Sequence, residues 1–505
     1  MLTGGEPADW RVFFVDPAQR PVLSDPLVAR FADKMPDLLR SHDRVAGQPF
    51  LLGPYGRPDV RVNTFFSRYP MTARDPDTWR KYAYALGMWL NFLAARGAAW
   101  DSAVPEDVEA FKYWRMADER NPQRVAPGTV TGNLIALNVF YSWAAGRYGV
   151  VSPVVTRQVR APARTGKTTI EQIVASPVGV RRADVKWFTP DGYRRWRDAG
   201  LCGFGLDGLE DATWRGRNEQ RDRAFADGLF ETGLRLSEWA SVLDVELPPD
   251  DPGRAFVTCW LADACAKGGH GRRFWLPRPA LTGVLSYMEG ARASAVRRAQ
   301  RAGRYERATG VLIVEKVHAH RRLRVRDRDG AVHGVSLDAL DPATRGRLFR
   351  RTDAGLEPVA VWLNEDGLPR NAHGWEHSFT RASQRLARLG LDGLVCTPHR
   401  LRHSCALRWY PVGKLLYEAR FAHLDAEELR DFRVQFGDTW QLVQTVLGHR
   451  SVTTTMEVYL EPFRYLDVEL LIEQTADFPI AELLDVAFRD HPRVAGDPLA
   501  AGVVR

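Results

Sequence analysis

The chain has little cysteine. Its five residues (Cys202, Cys259, Cys265, Cys396 and Cys405) form no CxxC pair and no even set. That excludes a zinc ribbon or a disulfide framework and leaves reduced thiols as the expectation. No stretch approaches the roughly 18 apolar residues of a membrane span. The N-terminus carries Glu6 and Asp9 and has no apolar signal-peptide core. The expectation is a soluble, cytoplasmic protein with no membrane partner. What is present suffices for two or three domains: 505 residues, 45% hydrophobic and 10% aromatic, enough to bury sizeable cores. The net charge of +8 favours a polyanionic partner. Most of the basic residues are arginine, which suits bidentate contact with phosphate. A GC-rich genome would also enrich arginine, so charge alone decides little.

Residues 1–68 are rich in proline and aromatics, with one short strand expected at Trp10 to Val15; they read as an N-terminal extension of unknown role. Helical patterning begins near residue 72. Tyr82, Leu86, Trp89 and Leu93 recur at i, i+4, i+7 and i+11, one apolar stripe. A second helix starts at Pro105 and carries Val108, Phe111 and Trp114. A third follows Thr129 with Leu134, Leu137, Phe140 or Tyr141, and Ala144. Each stripe needs a partner, so residues 69–155 are expected to form a small helical bundle. Residues 156–185 read as a basic linker, with Arg157, Arg160, Arg164 and Lys167. The run APARTGKT within it approaches a phosphate loop, but Ala161 stands where glycine is required and no apolar strand precedes it.

Downstream, six polar residues stand in a fixed order. Arg235 lies in TGLRLSEW; Lys267 precedes a glycine-rich turn; His399 and Arg402 lie in TPHRLRH; His449 lies in VLGH; Tyr459 follows ten residues later. A phosphodiester resists cleavage because its non-bridging oxygens share a charge that grows as a nucleophile approaches. Arginine forks suit those oxygens, being planar and always charged. His399 and Arg402, three apart, project from one helix face. Lys267, between VTCWLADACA and GGHGRRFWLP, falls at the tip of a β-hairpin. His399 and His403 at i, i+4 also match zinc spacing, but Arg400 stands where HExxH has glutamate, so no metal is expected.

This set and its flanking words resemble the tyrosine recombinase (phage integrase) family, over about residues 72 to 475. The phrase ALNVFYSWA in the helical bundle is similar to the family's core-binding domain, and FTPDGYRRW to the opening helix of its catalytic domain. The resemblance implies a mainly α fold with a small β-sheet: a helical, SAM-like core-binding domain and a mixed α/β catalytic domain forming a C-shaped clamp on double-stranded DNA. It implies a site-specific recombinase or integrase that acts as a homotetramer on paired sites, nucleoid-associated, without cofactor, metal or ATP; the extra N-terminal segment and the length favour carriage by a mobile element. By this resemblance Tyr459 attacks the phosphodiester to give a 3′-phosphotyrosine. Arg235 and Arg402 clamp the phosphate, Lys267 protonates the leaving 5′ oxygen, His399 accepts the tyrosine proton and His449 donates to a non-bridging oxygen. Glu238 orients its neighbours and His403 supports the site from beneath. The family's usual Thr-Phe after the second histidine is Ser404-Cys405 here, which puts local packing in question.

The expected catalytic domain spans 186–475, with insertions near 290–355 and 410–438 that exceed the family's spacing. In the first, Arg322, Arg324, Arg326 and Arg328 alternate with Leu323 and Val325 before Asp329-Gly330, a hairpin strand with an arginine face. It reads as a DNA-phosphate contact or as a solvated edge strand guarded by charge. Residues 476–505 form a tail with a short amphipathic helix (Ile480, Leu483, Leu484, Ala487, Phe488), expected to dock on a neighbouring protomer or on its own domain. Alternative readings are a type IB topoisomerase-like relaxing enzyme and a catalytically inactive DNA-binding relative.

Overall fold

In the computed structural model the chain divides into two compact units, residues 1–182 and 183–505. The structure describes residues 9–16, 44–161, 168–177, 186–421, 439–447 and 493–499, with a few single positions besides. The second of the two insertions is therefore described only in part, and the expected C-terminal amphipathic helix lies outside the described residues.

In the first unit the described residues before 69 carry structure of their own. Strand β1 (Arg11–Phe14) pairs antiparallel with β2 (Pro49–Leu52), and the short helix α1 (Val60–Phe65) follows. Leu51, Val62, Phe65 and Phe66 are buried in the same apolar cluster as the bundle residues Trp89, Phe111 and Leu137. Residues 9–16 and 44–68, expected as part of an extension, therefore pack with the bundle where they are described. Their scattered aromatics carry no periodicity because they come from a strand, a short helix and a turn that converge only in space.

Helix α2 (Pro76–Ala95) begins where the Asp75 carboxylate accepts from the Thr78 amide at 2.7 Å and Pro76 occupies the first turn. Leu86, Trp89 and Leu93 of the expected stripe are buried, and Tyr82 is half-buried. Helices α3 (Pro105–Met116) and α4 (Pro127–Tyr148) supply the facing sides. At the centre, Trp89 Nε1 donates to Tyr141 Oη at 2.8 Å, and Tyr141 Oη donates to the Trp100 carbonyl at 2.8 Å. The two polar tips are thus satisfied inside an apolar core. The stretch expected as a linker begins with a hairpin instead. Strand β3 (Thr156–Ala161) pairs antiparallel with β4 (Thr168–Ile173), and Ile173 and Ala175 join the bundle's core. Arg164 and Lys167 lie outside the described residues.

In the second unit, β5 (Trp187–Phe188) runs parallel to a two-residue strand at Val494–Ala495. Thr189 caps α5 (Pro190–Trp196), the helix expected from FTPDGYRRW. Helix α6 (Glu219–Thr232) ends at Gly233 in the left-handed region (φ 63°), and α7 (Leu236–Ala240) follows at once. The hairpin β6 (Phe256–Leu261) and β7 (Arg272–Pro277) comes next, then α8 (Arg278–Tyr287) and α9 (Ala293–Arg301). Indoles dominate the core: Phe225 stacks on Trp375 with ring centroids 3.5 Å apart, and Trp362 lies edge-on to Trp375 at 5.8 Å. Gly228 is required within α6, because a Cβ there would stand 2.3 Å from the Trp239 ring.

The first insertion is a five-stranded sheet. Strands β8 (Leu312–His318), β9 (Arg322–Arg326) and β10 (Val332–Ser336) lead to the one-turn helix α10 (Pro342–Arg345), then to β11 (Leu348–Thr352) and β12 (Gly355–Pro358). The order is β10-β9-β8-β11-β12, with β8 and β11 parallel and the other neighbours antiparallel. Leu323 and Val325 are buried, whereas Arg322, Arg324 and Arg326 are exposed, so the period-two reading matches the strand. The edge-strand reading does not, since β9 has a paired strand on either side. Arg328 stands in the β9–β10 turn rather than on the strand. Helices α11 (Ala372–Arg388), α12 (Pro398–Phe421) and α13 (Thr439–Leu447) follow among the described residues.

Because Phe65 is about 1% exposed within the bundle core, Phe65→Ala should destabilise the first unit by about 3–5 kcal/mol. Urea unfolding of the chain and of this variant measures it; an unchanged first-unit transition would restore the reading of a separate extension.

Candidate active site

The site is assembled around a carboxylate that has no access to water. Glu238, in the first turn of α7, is 0% exposed. It accepts from the Arg235 backbone amide at 2.9 Å and from Arg235 Nη1 at 2.8 Å. Arg272 reaches it from β7 with two bonds, Nη2 at 2.7 Å and Nη1 at 3.2 Å, and the Lys267 amide approaches at 3.4 Å. Burial alone would raise this carboxyl, but Arg272 and then Arg235 outweigh it and hold the pKa down to about 2. Glu238 is therefore a fixed anion.

Arg235 does pair with Glu238 three residues on, as a helix-surface ion pair would. The pair differs from a helix-surface one because its acid is buried and shared with a second arginine. Arg235 itself precedes α7 as its N-cap, at extended φ/ψ, rather than sitting inside a helix. Its side chain remains 24% exposed. Arg272 was missed at the level of sequence. The signal available was the doublet Arg272-Arg273 opening the strand after the Gly268–Gly271 turn, where alternation turns one of the two inward.

Lys267 stands in the β6–β7 connection, exposed, before Gly268 and Gly269 with φ of 88° and 75°. The hairpin expectation is met, and the two glycines supply the left-handed turn that presents the lysine. His399 is solvent-accessible at the first turn of α12. Partial burial first, then the neighbouring charges of Arg402, Arg235 and Lys267, lower its pKa below 6.5. Its imidazole is thus neutral near pH 7 and can accept a proton. The His403 ring lies beneath it, buried and nearly perpendicular, with centroids 4.4 Å apart.

Arg402 joins three motifs that are far apart in the chain. It is 1% exposed. Its Nη1 donates to the Gly233 carbonyl, in TGLR, and its Nη2 donates to the Leu447 carbonyl, in VLGH, at 2.6 Å. Gly233 suits the close approach, since a Cβ there would meet Leu447 at 2.9 Å and Cys405 Sγ at 3.0 Å. The doubt over Ser404-Cys405 resolves in the same place. Ser404 Oγ accepts from the Phe188 amide at 2.8 Å and donates to the Arg400 carbonyl at 2.9 Å, while Cys405 is buried against Gly233. Arg400 is structural: its guanidinium donates to the Trp187 carbonyl at 2.8 Å and lies 3.9 Å over the Phe188 ring.

The structure therefore brings together Arg235, Glu238, Lys267, His399, Arg402 and His403. His449 and Tyr459 lie outside the described residues, as does Tyr465. The arginine face of β9 is a separate patch on the inserted sheet, where Arg324 and Arg326 share Glu315 of β8 at 3.1 and 2.7 Å.

No protein-family model matches the sequence, and no curated protein does either. The solved structures it resembles are tyrosine recombinases and integrases. One is the XerH site-specific recombinase bound to palindromic difH substrate, at 13% identity and a TM-score of 0.43, covering 81% of each chain. Another is a lambda integrase dimer bound to a COC′ core site, at 11% identity and a TM-score of 0.40, covering 80% of this chain and 97% of that one. A third is the Tn1549 transposon integrase with transposon right end DNA, at 12% identity and a TM-score of 0.38, covering 75% and 87%. These are slight likenesses.

A depressed carboxyl adds stability above its unfolded pKa near 4.5, and that stability fades as pH falls toward 2. Glu238→Gln should accordingly cost about 3 kcal/mol at neutral pH, with the difference from wild type shrinking below pH 4.5. Chemical denaturation across that range is the measurement; a pH-independent difference would mean that shape rather than charge matters at this position.

Proposed function

We propose that the chain is a site-specific DNA recombinase or integrase of the tyrosine class, which cuts and rejoins duplex DNA through a 3′-phosphotyrosine. The observation that carries this reading is the convergence on Arg402. Motifs roughly 170 and 45 residues away meet at one guanidinium, beside Arg235, Lys267 and a neutral His399. Three cationic side chains around an imidazole suit a reaction in which negative charge develops on phosphate oxygens.

In the proposed reaction the Tyr459 hydroxyl oxygen attacks phosphorus, and its proton passes to His399. The bond from phosphorus to the bridging 5′ oxygen breaks, and Lys267 supplies the proton that leaves a free 5′ hydroxyl. Arg235, with Arg402 behind it, offsets charge on the non-bridging oxygens, and His449 donates to one of them. Rejoining reverses these transfers, with a 5′ hydroxyl displacing the tyrosine. The phenol is a better leaving group than an alcohol, so the covalent bond conserves the energy needed for resealing. Four protomers on paired sites are the proposed assembly, with double-stranded DNA as partner and the exposed Arg322, Arg324 and Arg326 adding phosphate contacts beyond the site.

Tyr459→Phe should abolish covalent protein–DNA adducts while leaving duplex binding nearly intact, as read by denaturing and native gels; adducts that survive would move the nucleophile, first to Tyr465. Arg235→Ala should slow cleavage by roughly 100-fold or more with far less effect on binding. Two-site recombination assays should yield joined products; supercoil relaxation with no joining would instead indicate a type IB topoisomerase.

Replacing Arg322, Arg324 and Arg326 together with Gln should flatten the salt dependence of DNA binding, by roughly 0.9 in logarithmic slope per lost contact. An unchanged slope would return these residues to a solvated face.

A further inference from the structure

The inserted sheet meets the rest of its unit along a buried polar seam, and the seam adjoins the turn that carries Lys267. Arg345, at the end of α10, is 2% exposed. Within the insertion its Nε donates to the Leu340 carbonyl at 2.9 Å and its Nη2 to the Leu337 carbonyl at 2.8 Å. Outside it, Nη1 donates to the Ser241 carbonyl at 3.2 Å, and the Glu246 carboxylate accepts from Nη1 at 2.6 Å and from Nη2 at 3.1 Å. One guanidinium therefore ties the insertion to the end of α7.

Both attachments lead to the site. Ser241 Oγ donates to the Glu238 carbonyl at 2.9 Å, so the residue held by Arg345 caps the turn that carries the buried anion. Leu340, whose carbonyl Arg345 also holds, accepts from the Cys265 thiol at 3.5 Å. Cys265 is buried and its pKa is raised by that burial, so it keeps its proton and remains a donor. It stands two residues before Lys267. On the other side of the same turn's approach, Trp260 Nε1 of β6 donates to Asp338 at 3.1 Å. Arg321 bonds both Asp338 (3.1 Å) and Glu246 (2.7 Å). It follows His320 in the β8–β9 turn, and both adopt φ near 57° (58° and 56°), a left-handed conformation that non-glycine residues rarely take. A strained turn and four charged side chains are thus committed to docking this insertion against the end of α7, the Asp244–Glu246 turn and the Lys267 hairpin.

We infer that Arg345 is a positioning residue for strand cleavage: through Ser241 and Leu340 it fixes the Lys267 turn so that the ammonium meets the leaving 5′ oxygen. The inserted sheet is then part of the catalytic apparatus, not an appendage. This inference rests on the strand-transfer reading above.

The test compares two duplex substrates with the full chain, one with the ordinary bridging 5′ oxygen and one with sulfur in its place. A thiolate leaves without a proton, so the sulfur substrate does not need the lysine. Arg345→Met should form covalent adduct roughly 10- to 100-fold more slowly on the oxygen substrate, below the full contribution of a general acid. On the sulfur substrate it should stay within a few-fold of wild type. Lys267→Ala should show the same rescue, and Arg235→Ala should be slow on both. Equal slowing of Arg345→Met on both substrates, or on neither, overturns the inference. If that variant does not fold, Trp260→Phe removes only the indole donor to Asp338 and should show the same oxygen-selective loss in smaller measure; a uniform effect again overturns it. Failure of wild type to form adduct on either substrate would instead overturn the strand-transfer reading.

Discussion

A carboxylate at 0% exposure must be neutralised or protonated, and Glu238 is neutralised. That requirement organises the centre of the second unit. It fixes Arg235 at the start of α7, draws Arg272 inward from β7 and orders the backbone at Lys267. The three cationic residues come from two separate elements, a helix start and a hairpin, and Glu238 bonds the Arg235 and Arg272 side chains and the Lys267 amide. Their mutual repulsion would drive them apart in water. Here it is offset by an anion that cannot leave, and the excess positive charge faces outward beside His399.

Arginine is used in two opposite ways. Arg402, Arg400 and Arg345 are buried and donate to carbonyl oxygens, Arg345 to the Glu246 carboxylate as well. A guanidinium with five N–H donors is suited to collecting several chain segments at once. Arg322, Arg324 and Arg326 are exposed on a strand whose other face is apolar. Net charge counts both groups alike. This is why the basic composition is a weak guide to partners, even though the exposed arginines and the site share one sign.

The insertion between the Lys267 hairpin and α12 is held by desolvated ionic contacts rather than by a flexible tether. Arg345 and Arg321 meet Glu246, and Arg292 and Arg350 meet Asp244. Breaking such a buried pair leaves a charge without a partner, a larger loss than the pair's own contribution. The sheet and the Asp244–Glu246 turn are therefore expected to move as one body.

Local patterns determined what needs only nearest neighbours. The 3.6-residue stripes marked α2, α3 and α4, the alternation of Arg322 to Arg326 marked β9, and glycine pairs marked the Lys267 turn. The grouping of Arg235, Lys267, His399 and Arg402 was legible as well, because arginine, lysine and histidine in distinctive flanking words stand out along the chain. Tertiary structure decided everything that depends on which segments meet. Residues of the Arg11–Phe14 and Pro49–Leu52 strands and of the Val60–Phe65 helix pack with the bundle core, β9 lies between two strands, and Arg402 points at carbonyls from distant motifs. Arg272 and Arg345 carry no pattern of their own, and their roles exist only where Glu238, Ser241 and Leu340 are brought within hydrogen-bond reach. A sequence displays periodicity along one chain, whereas partner choice for a buried charge is set by desolvation, which only the folded packing imposes.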